Sequence, residues 1–159
     1  MKTWSASMKD SLVSGGTAGA LSAAVLAWRG RRDADSAVAP LNATSHVLWG
    51  EQALHVDRPT ARHTLIGTLM HAASAVFWGV LFEKLLGREP RQGRLDAVVR
   101  SAVKTTAAAA VVDLCLVPRR LTPGFERRLS GRSLWLVYGG LAAGLVAGAW
   151  MLRGSSGRR

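Results

Sequence analysis

Residues 134–152, LWLVYGGLAAGLVAGAWML, run for nineteen positions without a charge. A helix of that composition has almost no polar face to turn towards water. At about 1.5 Å per residue it is long enough to cross the roughly 30 Å hydrocarbon core of a bilayer. Inside that core a backbone can bond only to itself, so helix is the form open to it. Three further apolar stretches accompany this one. The chain is therefore expected to be all-α: an integral membrane four-helix bundle in a single domain, 1–159, with spans at 12–28, 64–86, 101–117 and 134–152. A soluble, Ala-rich bundle is the competing form, because the first and third spans lean heavily on alanine and glycine. The last span argues against it.

The chain carries 21 Lys and Arg against 10 Asp and Glu, a formal charge of +11. In a soluble protein that excess points to nucleic acid. Here the basic residues sit in short segments beside apolar spans, so anionic lipid headgroups are the expected partner and nucleic acid is not. The single cysteine, Cys115, excludes an intrachain disulfide and supplies no metal motif; a small buried residue is expected there. No cofactor motif is present: Gly15-Gly16 and Gly139-Gly140 lack the Lys-Ser/Thr of a phosphate loop. The two lysines before the first apolar run also fit a signal peptide, but a retained first span is expected.

The spans are punctuated by recognisable ends. Arg29, Arg31 and Arg32 close the first, and Pro118 ends the third. The second is expected to begin near Pro59 with Asp57 as its cap. Trp28, Trp135 and Trp150 stand at span ends, where amphipathic rings suit a membrane interface. The long first connection is expected to carry a short helix, either interfacial or tucked against the bundle. In the third connection, Phe125 and Leu129 are expected to face lipid while Arg127 and Arg128 reach headgroups. Asn42-Ala43-Thr44 matches a glycosylation sequon and is read as a chance match.

Gly15, Gly19 and Ala23 in the first span, and Gly140, Gly144 and Gly148 in the last, recur every four residues. Small residues at that spacing form a groove that admits another helix backbone. The first and fourth spans are thus expected to pack closely through one or both faces, or to use one of them between subunits. A second copy or another membrane subunit is the corresponding protein partner.

With four spans both termini share a side. That side holds eleven basic residues, including Arg91, Arg158 and Arg159, and the other holds ten. The balance barely sets orientation. Lys2 and Lys9 before the first span favour cytoplasmic termini.

The ionisable residues inside the spans matter most, because such groups are costly in hydrocarbon and pair or line wet cavities. His71 in the second span and Asp113 in the third fall at similar depth from one membrane face. They are expected within direct or water-bridged reach. His46, Glu51, His55 and His63 lie on that same side and complete a candidate proton or metal cluster. At the opposite end Glu83 and Lys104 are expected to form a structural ion pair.

At APLNATSHVLWGEQAL and PRRLTPGFERRLS the chain resembles small, functionally unassigned bacterial inner-membrane proteins with comparable connecting segments. The resemblance covers most of the chain and implies the inner, cytoplasmic membrane of a bacterium. It brings no catalytic signature. The leading expectation is a non-enzymatic accessory or envelope component. A small ion- or proton-coupled transporter using His71 and Asp113 is the alternative, and a membrane enzyme with a His/acid metal site the second.

Overall fold

The computed structural model describes residues 2–89 and 94–156, with side chains to 154; Arg91, Arg158 and Arg159 lie outside that range. The described chain is all-helical, without strands. Four long helices form the bundle: α1 (Trp4–Asp33), α4 (Ile66–Leu86), α5 (Leu95–Val111) and α6 (Gly131–Ser156). Two short ones, α2 (Ala39–Thr44) and α3 (His46–Trp49), fall in the first connection. Three segments are long and apolar enough to cross a membrane: Trp4–Asp33, Ala61–Leu86 and Gly131–Gly154. That supports a multi-pass membrane protein.

α1 packs on both α4 and α6, and α5 closes the ring by touching those same two helices. Neighbours run antiparallel. A Cβ on Gly148 would stand 2.5 Å from the Ser14 Cα, while one on Gly140 would meet Val25, eleven residues further along α1. α1 and α6 do form the closest seam, as expected. Their contact joins the Gly140/Gly144/Gly148 stripe to Ser14, Ala18 and Ser22. Gly15 and Gly19 turn instead towards α4, where a Cβ on Gly15 would lie 2.7 Å from the Val76 Cα. The physical reason is rotation: residues 14 and 15 differ by about 100° around a helix, so α1 offers one small-residue face to each neighbour. Ala23 is partly buried against the core. Ser11, Ser14 and Ser22 tolerate burial because each hydroxyl bonds a carbonyl of its own helix: Ser11 to Met8 O at 2.7 Å, Ser14 to Asp10 O at 3.3 Å, Ser22 to Ala18 O at 2.7 Å.

Helix ends differ from expectation where side-chain chemistry was misread. α1 begins at Trp4, capped by Thr3, whose hydroxyl accepts from Ala6 N–H. The cap before α4 is Thr60, which accepts from His63 N–H at the start of a π-helical turn, Ala61–Leu65. Asp57 is held by Arg128. α5 is followed by a second π turn, Val112–Leu116, stopped before Pro118. Cys115, in this turn, is exposed.

All six residues of α2 are buried, so this helix tucks into the bundle and is not interfacial. Gly30 and Gly67 allow it. A Cβ on Gly67 would run into Leu41 O, and one on Gly30 would stand 2.7 Å from the Pro40 ring. Asn42, the sequon residue, is buried as a hub: its Nδ2 donates to Val56 O (2.7 Å) and Arg58 O (3.0 Å), and its Oδ1 accepts from Thr64 Oγ1 (2.6 Å).

The third connection is also folded in. Phe125 and Leu129 are only 4% and 8% exposed, in the core and not on the outside. Arg127 and Arg128, expected at headgroups, clasp Glu51 and Asp57 of the first connection. Burial of Phe125 and Leu129 and the pairing of Arg127 and Arg128 favour the same arrangement, so the connection folds onto the bundle and does not lie on its surface as an amphipathic helix.

Candidate functional site

His71 projects from the inner face of α4, one small turn above Gly67 and opposite Gly19 and Ser22 of α1. Its Nε2 lies 2.9 Å from Ser22 Oγ. Ser22 Oγ also lies 2.7 Å from Ala18 O, so the hydroxyl can donate to its own helix while it accepts from Nε2–H of His71. Asp113 sits at the start of the π turn that follows α5. The wider turn inserts an extra residue into the helical phase, which re-aims the side chain. Its Oδ2 accepts from the Tyr138 hydroxyl of α6 at 3.1 Å.

Both residues line one cavity of about 140 Å³ within the bundle. Ser22 and Ser74 add hydroxyls, Met70, Trp78, Val137 and Leu141 add apolar wall, and the third connection closes one side with Leu121 to Pro123 and Phe125. The Phe125 ring stands edge-on between the two polar groups, its centroid 6.4 Å from that of His71 and 6.4 Å from that of Tyr138. Depth reasoning thus brought His71 and Asp113 to one chamber, but each has its own partner. A double-mutant cycle of His71→Ala with Ser22→Ala should show a stability coupling of about 0.5–1.5 kcal/mol, and His71 with Asp113 less than that. Thermal unfolding of the four proteins would read it; independent effects of His71 and Ser22 would contradict this geometry.

The other candidate residues disperse. His46 is buried outside the cavity, Nδ1 2.9 Å from Ala43 O and Nε2 3.3 Å from Arg119 O, so it staples the third connection to α2. Glu51 is exposed, and the hydrogen bond from Arg127 holds its carboxyl below the usual carboxylate range. His55 is exposed, and His63 Nδ1 lies 3.0 Å from Thr60 Oγ1. Among the described residues no three His, Cys, Asp or Glu converge on a point that would hold a metal.

The ion pair expected between Glu83 and Lys104 is replaced. Glu83, 1% exposed, takes Lys2 at 2.5 Å, and Lys2 also reaches Asp10 at 2.6 Å. Burial lowers the Lys2 pKa, yet hydrogen bonds and charge from Asp10 and Glu83 outweigh that and raise it. Lys104 is exposed on the outer face of α5. The early start of α1 is the reason, since it carries Lys2 across to the end of α4.

Sequence reasoning did not find Ser22, Tyr138, Phe125 or Trp78. Tyr138 had a signal: it is the single tyrosine, and its hydroxyl interrupts the most apolar span. No protein-family model, curated protein or solved structure matches this chain.

Proposed function

We propose that this chain is a multi-pass protein of the bacterial inner membrane that carries protons or a small ion through the His71–Asp113 cavity. The observation that supports this reading is the cavity itself: two ionisable side chains from different helices line one chamber inside the bundle. Side chains of this kind take up and release protons, and they are retained within a membrane at a cost that a dry structural core avoids.

The outside of the bundle supports the membrane setting. Leu12, Leu69, Phe77, Val103 and Leu136 are exposed on the four long helices. Trp4 and Trp150 are exposed near one end, Trp28 and Trp135 near the other. Arg29 and Arg32 lie 5.2 and 5.7 Å from the Trp28 ring, and Lys84 lies 4.6 Å from that of Trp4. Residues 101–117 reach about 25 Å at about 1.5 Å each, so this part of α5 and its π turn serves as a fourth crossing, with Arg100 and Lys104 snorkelling to headgroups at one end. The resemblance to bacterial inner-membrane proteins supports the location, and Lys2 and Lys9 support cytoplasmic termini.

The test is a flux measurement. Protein reconstituted in vesicles with a pH-sensitive dye should pass protons under an imposed potential. Asp113→Asn should fall to the rate of protein-free vesicles, and His71→Gln should be slowed. Gly16→Ala, which adds a methyl group in open space, should match the native protein. Native flux no faster than that of empty vesicles would remove the reading. For orientation, a cysteine replacing Arg120 in a Cys115→Ser background should react with an impermeant maleimide outside intact cells.

The accessory role stays as a second reading on one observation. Lys104 is exposed on the outer face of α5 beside Val103, without an acidic partner among the described residues, a place that a carboxylate from another membrane subunit would suit.

A further inference from the structure

We propose that the cavity binds a small organic cation, with its ammonium group at Asp113 and its carbon groups against aromatic rings. The inference rests on reading this cavity as the working site, and it names the class of solute.

Charge pairing carries the argument. In a chain with 21 basic and 10 acidic side chains, seven acids hold a Lys or Arg partner: Asp10, Asp33, Glu51, Asp57, Glu83, Glu89 and Asp96. Among the described residues three do not. Asp35 is an exposed turn residue with φ +50°. The other two, Asp113 and Glu126, lie close enough to interact electrostatically. Asp113 has a neutral donor, Tyr138, on Oδ2, and no described donor reaches Oδ1. Glu126 Oε2 is buried without a hydrogen-bond partner. A basic chain that matches most of its acids with cations has left without one both Asp113, on the cavity wall, and Glu126, the chain neighbour of the wall residue Phe125. An uncompensated carboxylate in low dielectric is costly, and a cation brought by a ligand removes that cost.

The wall selects the kind of cation. Trp78, Phe125 and Tyr138 line the chamber with Met70. Aromatic faces and a thioether attract a weakly hydrated ammonium group. The lining carboxylate of Asp113, with Glu126 near enough to act on it, disfavours an anion. A bare divalent ion calls for about six to eight oxygen ligands, which a single lining carboxylate and scattered hydroxyls do not supply. The volume sets the size. At about 140 Å³ the chamber compares with the roughly 150 Å³ engineered cavity that holds benzene.

The test uses two probes of equal shape, tetramethylammonium and the neutral tert-butanol, titrated calorimetrically into the full chain in lipid nanodiscs. Tetramethylammonium should bind saturably, about tenfold or more tightly than tert-butanol. Asp113→Asn keeps an acceptor for Tyr138 and should weaken tetramethylammonium binding about tenfold, whereas Asp35→Asn should leave it unchanged. Glu126→Gln should produce a smaller loss. Equal binding of the two probes by the native chain overturns the proposal whether or not any variant folds, and so does full affinity in Asp113→Asn. Cation binding without proton or ion flux would remove the transport reading and leave this site. Flux without discrimination between the probes would do the reverse.

Discussion

Gly144→Leu should open the α1–α6 seam and cost at least about 3 kcal/mol of stability, because overpacking against backbone cannot be relieved by a rotamer change. Even a Cβ at this position would collide with the Ala18 Cα and stand 2.9 Å from both Ala18 N and Thr17 O. Gly144→Ala should show the same effect in smaller measure. Gly139→Ala is the matched control, one residue to the side of the stripe, where an added Cβ meets nothing within 4 Å. Thermal unfolding in detergent, followed by circular dichroism, reads the series. If Gly144→Leu melts with the native protein, close backbone approach is not what holds these helices together. Three stripe glycines contribute to one seam, so double replacements among them are not expected to add.

Asn42→Leu should be nearly as damaging, at about 3–5 kcal/mol. The substitution preserves approximate volume but strips Val56 O and Arg58 O of a donor and Thr64 Oγ1 of its acceptor, leaving Thr64 only the Thr60 N–H. Each group orphaned in this part-buried site costs up to about 1–3 kcal/mol, with less than full addition because all three share one side chain. Residues 45–65 should then become the first protease-sensitive stretch, since Asn42 ties their far end to α2. Asn42→Asp keeps the acceptor for Thr64 but turns a carboxylate oxygen on Val56 O and Arg58 O, so it should cost at least as much. An Asn42→Leu protein as resistant as the native one would show that the first connection is held elsewhere, for instance by Ser36, whose hydroxyl donates to Asp57 O at 2.5 Å.

Both experiments probe features of different legibility. The Gly140/Gly144/Gly148 repeat was readable because a four-residue period on a helix is a local property. It implies a groove whatever fills the groove. The identity of the filling face was not readable. α1 carries Ser14/Ala18/Ser22 and Gly15/Gly19 side by side, and either stripe can meet glycine. Only the placement of α4 and α6 on its two flanks assigns them. Asn42 was misjudged because the sequon is a motif of three adjacent residues, whereas the role of Asn42 is set by residues 14, 16 and 22 positions away.

The same division runs through the site. Linear depth along two antiparallel helices was enough to place His71 and Asp113 at one level, since about 1.5 Å per residue holds wherever the helix sits. Rotation about the axis is a tertiary matter, and it directs His71 to Ser22 and Asp113 to Tyr138. Glu83 was paired with the wrong lysine for a related reason. An apolar run marks what lies in hydrocarbon, not where a helix begins, and eight residues of α1 precede the span that hydropathy picks out. Sequence alone thus determined the helical class, the approximate places of the long helices, the small-residue grooves and the two polar levels, because each follows from local composition and a fixed rise per residue. Tertiary structure alone decided which faces meet, which acids keep a basic partner and that a chamber remains at Asp113, because these depend on how four helices and two folded connections share the same space.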